Sequence, residues 1–151
     1  MKLRVSRFGL GMVLALSLGA SISGAQEGSN AETALSKTSS FALGGVGVAG
    51  TMSAGERALR EVLKDPDAVA QLQRLLQDAS PAGQLYALLG LRMRDRAAYE
   101  QALGKCRSID AKVETMRGCM LGHEPFRALV KEIEKGDYDS FLAHEWPEPA
   151  R

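Results

Sequence analysis

Cys106, Cys119 and His123 are the first residues in the chain whose types and spacing could do chemistry. Two thiolates and an imidazole suit zinc or copper, and His144 is available as a fourth ligand. Twelve residues separate the cysteines, and in an oxidising compartment a pair at that spacing most simply closes one disulfide. Closing such a loop would contribute about 3 kcal/mol in the chain-entropy view. The spacing fits no short metal signature, and oxidation would consume both thiols. The reading is therefore a Cys106–Cys119 disulfide, with a metal or small-molecule site at Cys106, Cys119 and His123 as the alternative. A Cys–His nucleophile would also need a third group to orient its base, and none is indicated.

Gly45-Val46-Gly47-Val48-Ala49-Gly50 matches the G-x-G-x-x-G string. Dinucleotide binding needs that turn after a hydrophobic strand, inside a βαβ unit. Thr38, Ser39 and Ser40 precede it instead, so the segment reads as a glycine-rich stretch packing Phe41, Val46 and Val48 on neighbouring helices. The chain has no nucleophile elbow, zinc-protease helix, calcium loop or P-loop lysine. Glu132 and Glu134, like Asp137 and Asp139, lie two apart, which on a helix directs them to different faces. Arg92, Arg94 and Arg96 read as a cationic helix end that complements the macrodipole. Tyr86, Tyr99, Met93, Met116 and Met120 read as filler in an aliphatic core. No cofactor is implied, and the absence of a convergent polar constellation points away from an enzyme.

The elements that must position these residues read as helices. Ser53-Ala54-Gly55-Glu56 has the capping-box form, and Ala58, Leu59, Val62 and Leu63 follow on one face. Asp65-Pro66-Asp67 and Ser80-Pro81 open two more helices. Leu85 to Leu91 is apolar nearly all round, which predicts burial on several sides. Asp95 caps a fourth helix, and Pro125 starts a fifth with Phe126, Leu129, Val130 and Ile133 inward and Gly136 at its end. Residues 104–122, punctuated by Gly104, Gly118 and Gly122, read as a break.

Residues 53–76 laid over 81–104 give seven identities in 24 positions, including Gly55/Gly83, Leu63/Leu91 and Asp67/Asp95. With the turn Gly90-Leu91-Arg92-Met93-Arg94-Asp95, this pattern resembles HEAT-type helical-hairpin repeats. The resemblance implies stacked antiparallel helices and a binding surface, with no catalytic residues to carry over. The expected fold is all-α, a compact bundle of four to six helices over residues 53–145. A flexible polar and glycine-rich arm, residues 26–52, precedes it, and a short tail, residues 146–151, follows.

The first 25 residues differ in kind. Lys2, Arg4 and Arg7 precede an apolar run from Phe8 to Ala20, shorter than a membrane span of about 20 residues. Ser23-Gly24-Ala25 then supplies small residues for cleavage, the form of a secretory signal. Cleavage would leave 126 residues with 16 basic and 18 acidic side chains, without a membrane span. A composition of 45% hydrophobic and 25% charged residues is that of a globular protein, and a formal charge of +1 gives no nucleic-acid-binding face. The expectation is an exported protein, periplasmic or extracellular, acting as a non-enzymatic module for a protein partner.

Overall fold

Local capping sets where the helices begin. In a computed structural model, which describes Ser23–His144 and the side chains from Asn30 onward, Ser53 Oγ accepts the Glu56 amide at 3.0 Å and starts α2 (Ala54–Lys64). Ser80 does the same for Gly83 at 3.1 Å at the head of α4 (Pro81–Arg94), and Asp95 for Ala98 at 3.0 Å at the head of α5 (Arg96–Cys106). Between them, α3 (Ala68–Asp78) lacks a side-chain cap, and Asp65 Oδ1 takes the Asp67 amide at 2.8 Å just before it. After α6 (Phe126–Lys135), Gly136 stops the helix at φ 84°, a conformation that costs glycine little. A short α7 (Asp139–Ala143) follows.

The central element is α4. Leu85, Tyr86, Ala87, Leu88, Leu89 and Leu91 are all buried, so its neighbours surround it as the all-round apolar sequence requires. Gly90 permits close packing, because a Cβ there would stand 2.8 Å from Leu72 and 3.0 Å from Leu59. Ala31 and Leu35, with the hydrophobic residues of α2 to α6, join one cluster around it. Among the described residues, no helix is long and apolar enough to cross a membrane. The basic start and apolar run of residues 2–20, and the Trp146 tail, lie outside the described residues.

Two expectations are corrected here. The first is the flexible arm. Residues 23–36 form α1 (Ser23–Ser36), with Ala31 and Leu35 buried against the other helices. Two buried positions one turn apart in a polar stretch are a faint apolar stripe, and a tertiary surface made the helix rather than composition. Glu32 pins it by a two-pronged pair with Arg74, at 2.9 Å for each contact.

The second is the all-α class. The described residues hold seven helices together with five strands in two sheets, so the fold is not purely α. β4 (Lys112–Arg117) and β5 (Met120–Pro125) form an antiparallel hairpin, and β1 (Ser40–Phe41) pairs parallel to β4, giving the order β1-β4-β5. β2 (Gly45–Val46) and β3 (Thr51–Met52) form a second, two-stranded ribbon. The supposed break at 104–122 is thus largely a strand pair turning at Gly118, φ 58°. Val113 and Thr115 are buried while Lys112 and Glu114 are not, a period of two in β4 that the glycines obscured.

Candidate functional site

The residues expected to do chemistry are not brought together. Cys106 is buried at the end of α5, where burial pushes its thiol up to about 11. Cys119 is exposed in the β4–β5 turn, and both are free. The Cys106–Cys119 disulfide is therefore corrected: the hairpin carries Cys119 away from the helical core that holds Cys106, beyond bonding distance. His123 lies exposed on β5. Among the described residues, no three His, Cys, Asp or Glu side chains are grouped to hold a metal, so Cys106, Cys119 and His123 do not form one centre. Under native conditions a thiol reagent should titrate one cysteine, Cys119, promptly and Cys106 only on unfolding. Equal, fast reaction of both would contradict this placement.

The glycine string forms the β2–β3 ribbon rather than a phosphate loop. A Cβ on Gly45 would stand 2.8 Å from the Gly50 carbonyl, so the ribbon closes only around glycine there. Gly47 donates its N–H to the Gly118 carbonyl at 3.0 Å, docking the ribbon beside the β4–β5 turn with Val48 100% exposed. The ribbon's base is held by buried polar groups. Tyr86 accepts the Ala42 N–H at 2.9 Å and donates to the Ala42 carbonyl at 2.7 Å. Glu56, 0% exposed, accepts the Gly44 N–H at 2.7 Å and the Arg60 guanidinium at 2.8 and 3.0 Å.

Beside this base lies a cleft of about 240 Å³, floored by Phe41, Leu43, Tyr138 and Phe141, with Arg117 at its rim. Arg117 spans Glu124, at 3.1 and 3.2 Å, and Glu132, at 2.8 Å. Thr115 donates to Glu124 at 3.0 Å, and Tyr138 donates to Glu132. Burial, then the Glu132 carboxylate, raises the Tyr138 phenol above its ordinary value. Burial opposes ionisation of Glu132, but the hydrogen bonds from Tyr138 and Arg117 outweigh it and hold the carboxyl below its usual range. The two-apart carboxylates thus serve separate partners, Glu134 pairing with Arg107 and Asp139 with Arg92. With its guanidinium already committed to two carboxylates, Arg117 fastens the hairpin to α6 and the turn before α7. No linear motif joins these five residues, which converge only through the hairpin.

The third feature is the outer edge of the sheet. The Phe126 N–H donates to the Ala111 carbonyl at 2.8 Å, which sets the phase of the ladder. Val113–Glu124, Thr115–Gly122 and Arg117–Met120 are then the hydrogen-bonded pairs. The alternate residues of β5, Leu121 and His123, turn their N–H and C=O groups outward to an edge that, among the described residues, has no strand beside it. Met120 and Leu121 on this strand are 74% and 68% exposed. Comparison with protein-family models, curated proteins and solved structures finds no match to this chain.

Proposed function

We propose that the chain is a small, exported, non-enzymatic interaction module that receives an extended protein segment along β5. The observation that carries this reading is the open edge itself. Exposed edges are ordinarily blunted by lysine, an inward charge, a bulge or brevity. β5 runs for six residues and carries no lysine; its inward carboxylate, Glu124, is neutralised by Arg117, and Met120 and Leu121 are presented to solvent, with Pro125 only at its end. Such an edge offers main-chain hydrogen bonds for affinity and alternate side chains for selectivity. The basic start, the apolar run and Ser23-Gly24-Ala25 support export. Cleavage after Ala25 would fall inside the first turn of α1 and leave the Ala31 and Leu35 contacts in place.

Leu121→Pro is the direct test. Its amide points away from β4, so proline removes an outward donor without breaking the hairpin ladder. Wild-type protein immobilised in cell-envelope extract should retain a specific protein that the Leu121→Pro variant does not. The variant should keep its far-ultraviolet circular dichroism and melt within a few degrees of wild type. Equal retention by a folded variant would contradict the reading, as would the absence of both a retained protein and a self-association that Leu121→Pro abolishes.

A further inference from the structure

We infer that the strand received by β5 is β5 of a second copy, paired antiparallel about a two-fold axis at Gly122. This rests on the open edge being the contact surface, and it names the occupant. Only Leu121 and His123 carry outward ladder groups, so any symmetric pairing must join those two positions among themselves.

Three registers satisfy that condition, and they are not equivalent. His123 opposite His123 of the second copy sets two imidazoles face to face, which is repulsive wherever they are charged. Leu121 opposite Leu121 would require further pairing through Cys119, which belongs to the turn. Leu121 opposite His123, repeated by symmetry, makes two hydrogen-bonded pairs and so four ladder bonds. Gly122 then meets Gly122 at the close, non-hydrogen-bonded position, with no side chain to crowd it. Met120 falls opposite Glu124 of the second copy.

Charge favours the same register. No like charges stand directly opposite, the two His123 rings being diagonal like the two Leu121 side chains, and Glu124 of one copy enters the row that holds Arg117 and Met120 of the other. On the outer face the two Leu121 side chains become diagonal neighbours, flanked by Met116 of each copy, so the exposed apolar surface is shared. One strand pair buries less than the roughly 800 Å² per partner of a standard interface, so the dimer is reversible and concentration-dependent.

The test uses protein expressed from the full-length sequence and purified as it accumulates. Sedimentation velocity should show monomer giving way to dimer as concentration rises, and Leu121→Pro should remain monomeric. In a Cys119→Ser background, Gly122→Cys should form an interchain disulfide at least about tenfold faster than Leu121→Cys, because the non-hydrogen-bonded pair has a Cα separation of ~4.5 Å. A Cβ at Gly122 stands 3.3 Å from Thr115 Oγ1, a contact the hydroxyl can relieve. Wild-type sedimentation does not depend on that substitution. A concentration-independent monomer, or faster cross-linking through Leu121, would overturn the two-fold at Gly122. If the protein stays monomeric while Leu121→Pro still abolishes retention of an envelope protein, the second-copy inference fails and the edge reading stands. If neither effect occurs, both fail.

Discussion

Gly83→Ala should destabilise the protein by about 2 kcal/mol, although alanine is the better helix former by about 1 kcal/mol. Gly83 lies in the first turn of α4, where α1 crosses it. A Cβ at this position would stand 2.3 Å from the Leu35 carbonyl oxygen and 2.9 Å from the Ala79 Cβ. The first neighbour is backbone, so relief requires moving α1 bodily. Overpacking of that kind costs up to about 3 kcal/mol, which exceeds the propensity gain. The size is diagnostic. Were residues 26–40 a loose arm, the backbone clash with Leu35 would vanish, only the Ala79 Cβ would meet the new methyl group, and the cost would fall well below about 2 kcal/mol. Gly104→Ala supplies the control, since Gly104 sits in α5 with no atom within 4 Å of its would-be Cβ. It should raise stability by up to about 1 kcal/mol. Urea denaturation of the two variants beside wild type checks both, and a far smaller loss in Gly83→Ala would remove α1 from the packed core.

Glu56→Ala should cost about 3 kcal/mol. The carboxylate is fully buried, and its two oxygens are divided between the Gly44 amide and the Arg60 guanidinium. Truncation leaves a buried N–H without its acceptor and removes the counter-charge of Arg60. Arg60 also donates to the Phe141 carbonyl at 2.6 Å, so the loss reaches the contact between α2 and α7. Glu56→Gln keeps an acceptor for Gly44 and gives up only the ion pair, so it should lose less than half as much. The same denaturation series measures both. A loss below about 1 kcal/mol in Glu56→Ala would mean that the Ala42–Gly45 segment is not anchored through this residue.

What could be read from sequence was mostly local. Ser53, Ser80 and Asp95 cap helices because a side-chain oxygen three residues ahead of a free amide needs no tertiary help. Gly136 ends α6 for an equally local reason. The all-round apolar stretch from Leu85 to Leu91 also placed α4 at the centre, because only burial on all sides suits it. Ser53-Ala54-Gly55-Glu56 misled in one respect. Ser53 caps as the pattern requires, but the Glu56 carboxylate serves Gly44 and Arg60.

The less legible features depend on partners distant in the chain. α1 has only Ala31 and Leu35 to mark an inward face, and its helix exists because α2, α3 and α4 offer a surface. In the β4–β5 hairpin, alternation is clear in buried Val113 and Thr115, whereas in β5 it runs only between exposed residues and the half-buried Gly122 and Glu124, which give no apolar signal. The cysteine pair was read by separation along the chain, and separation does not fix direction. A helix end and a hairpin turn point the two thiols into different environments. The Arg117, Glu124, Glu132 and Tyr138 cluster joins a strand pair, a helix and a turn, and no spacing announces it.

The most direct test of the interaction reading is residue-resolved amide exchange along β5, in dilute and concentrated protein. In dilute solution the Gly122 and Glu124 amides should be protected by β4, while those of Leu121 and His123 exchange at nearly open-chain rates. Raising the concentration should slow exchange at Leu121 and His123 and leave Gly122 and Glu124 nearly unchanged. Protection of Leu121 and His123 already present in dilute monomer would show that the chain covers its own edge. Indifference of those two amides to a bound partner would equally contradict recognition through β5.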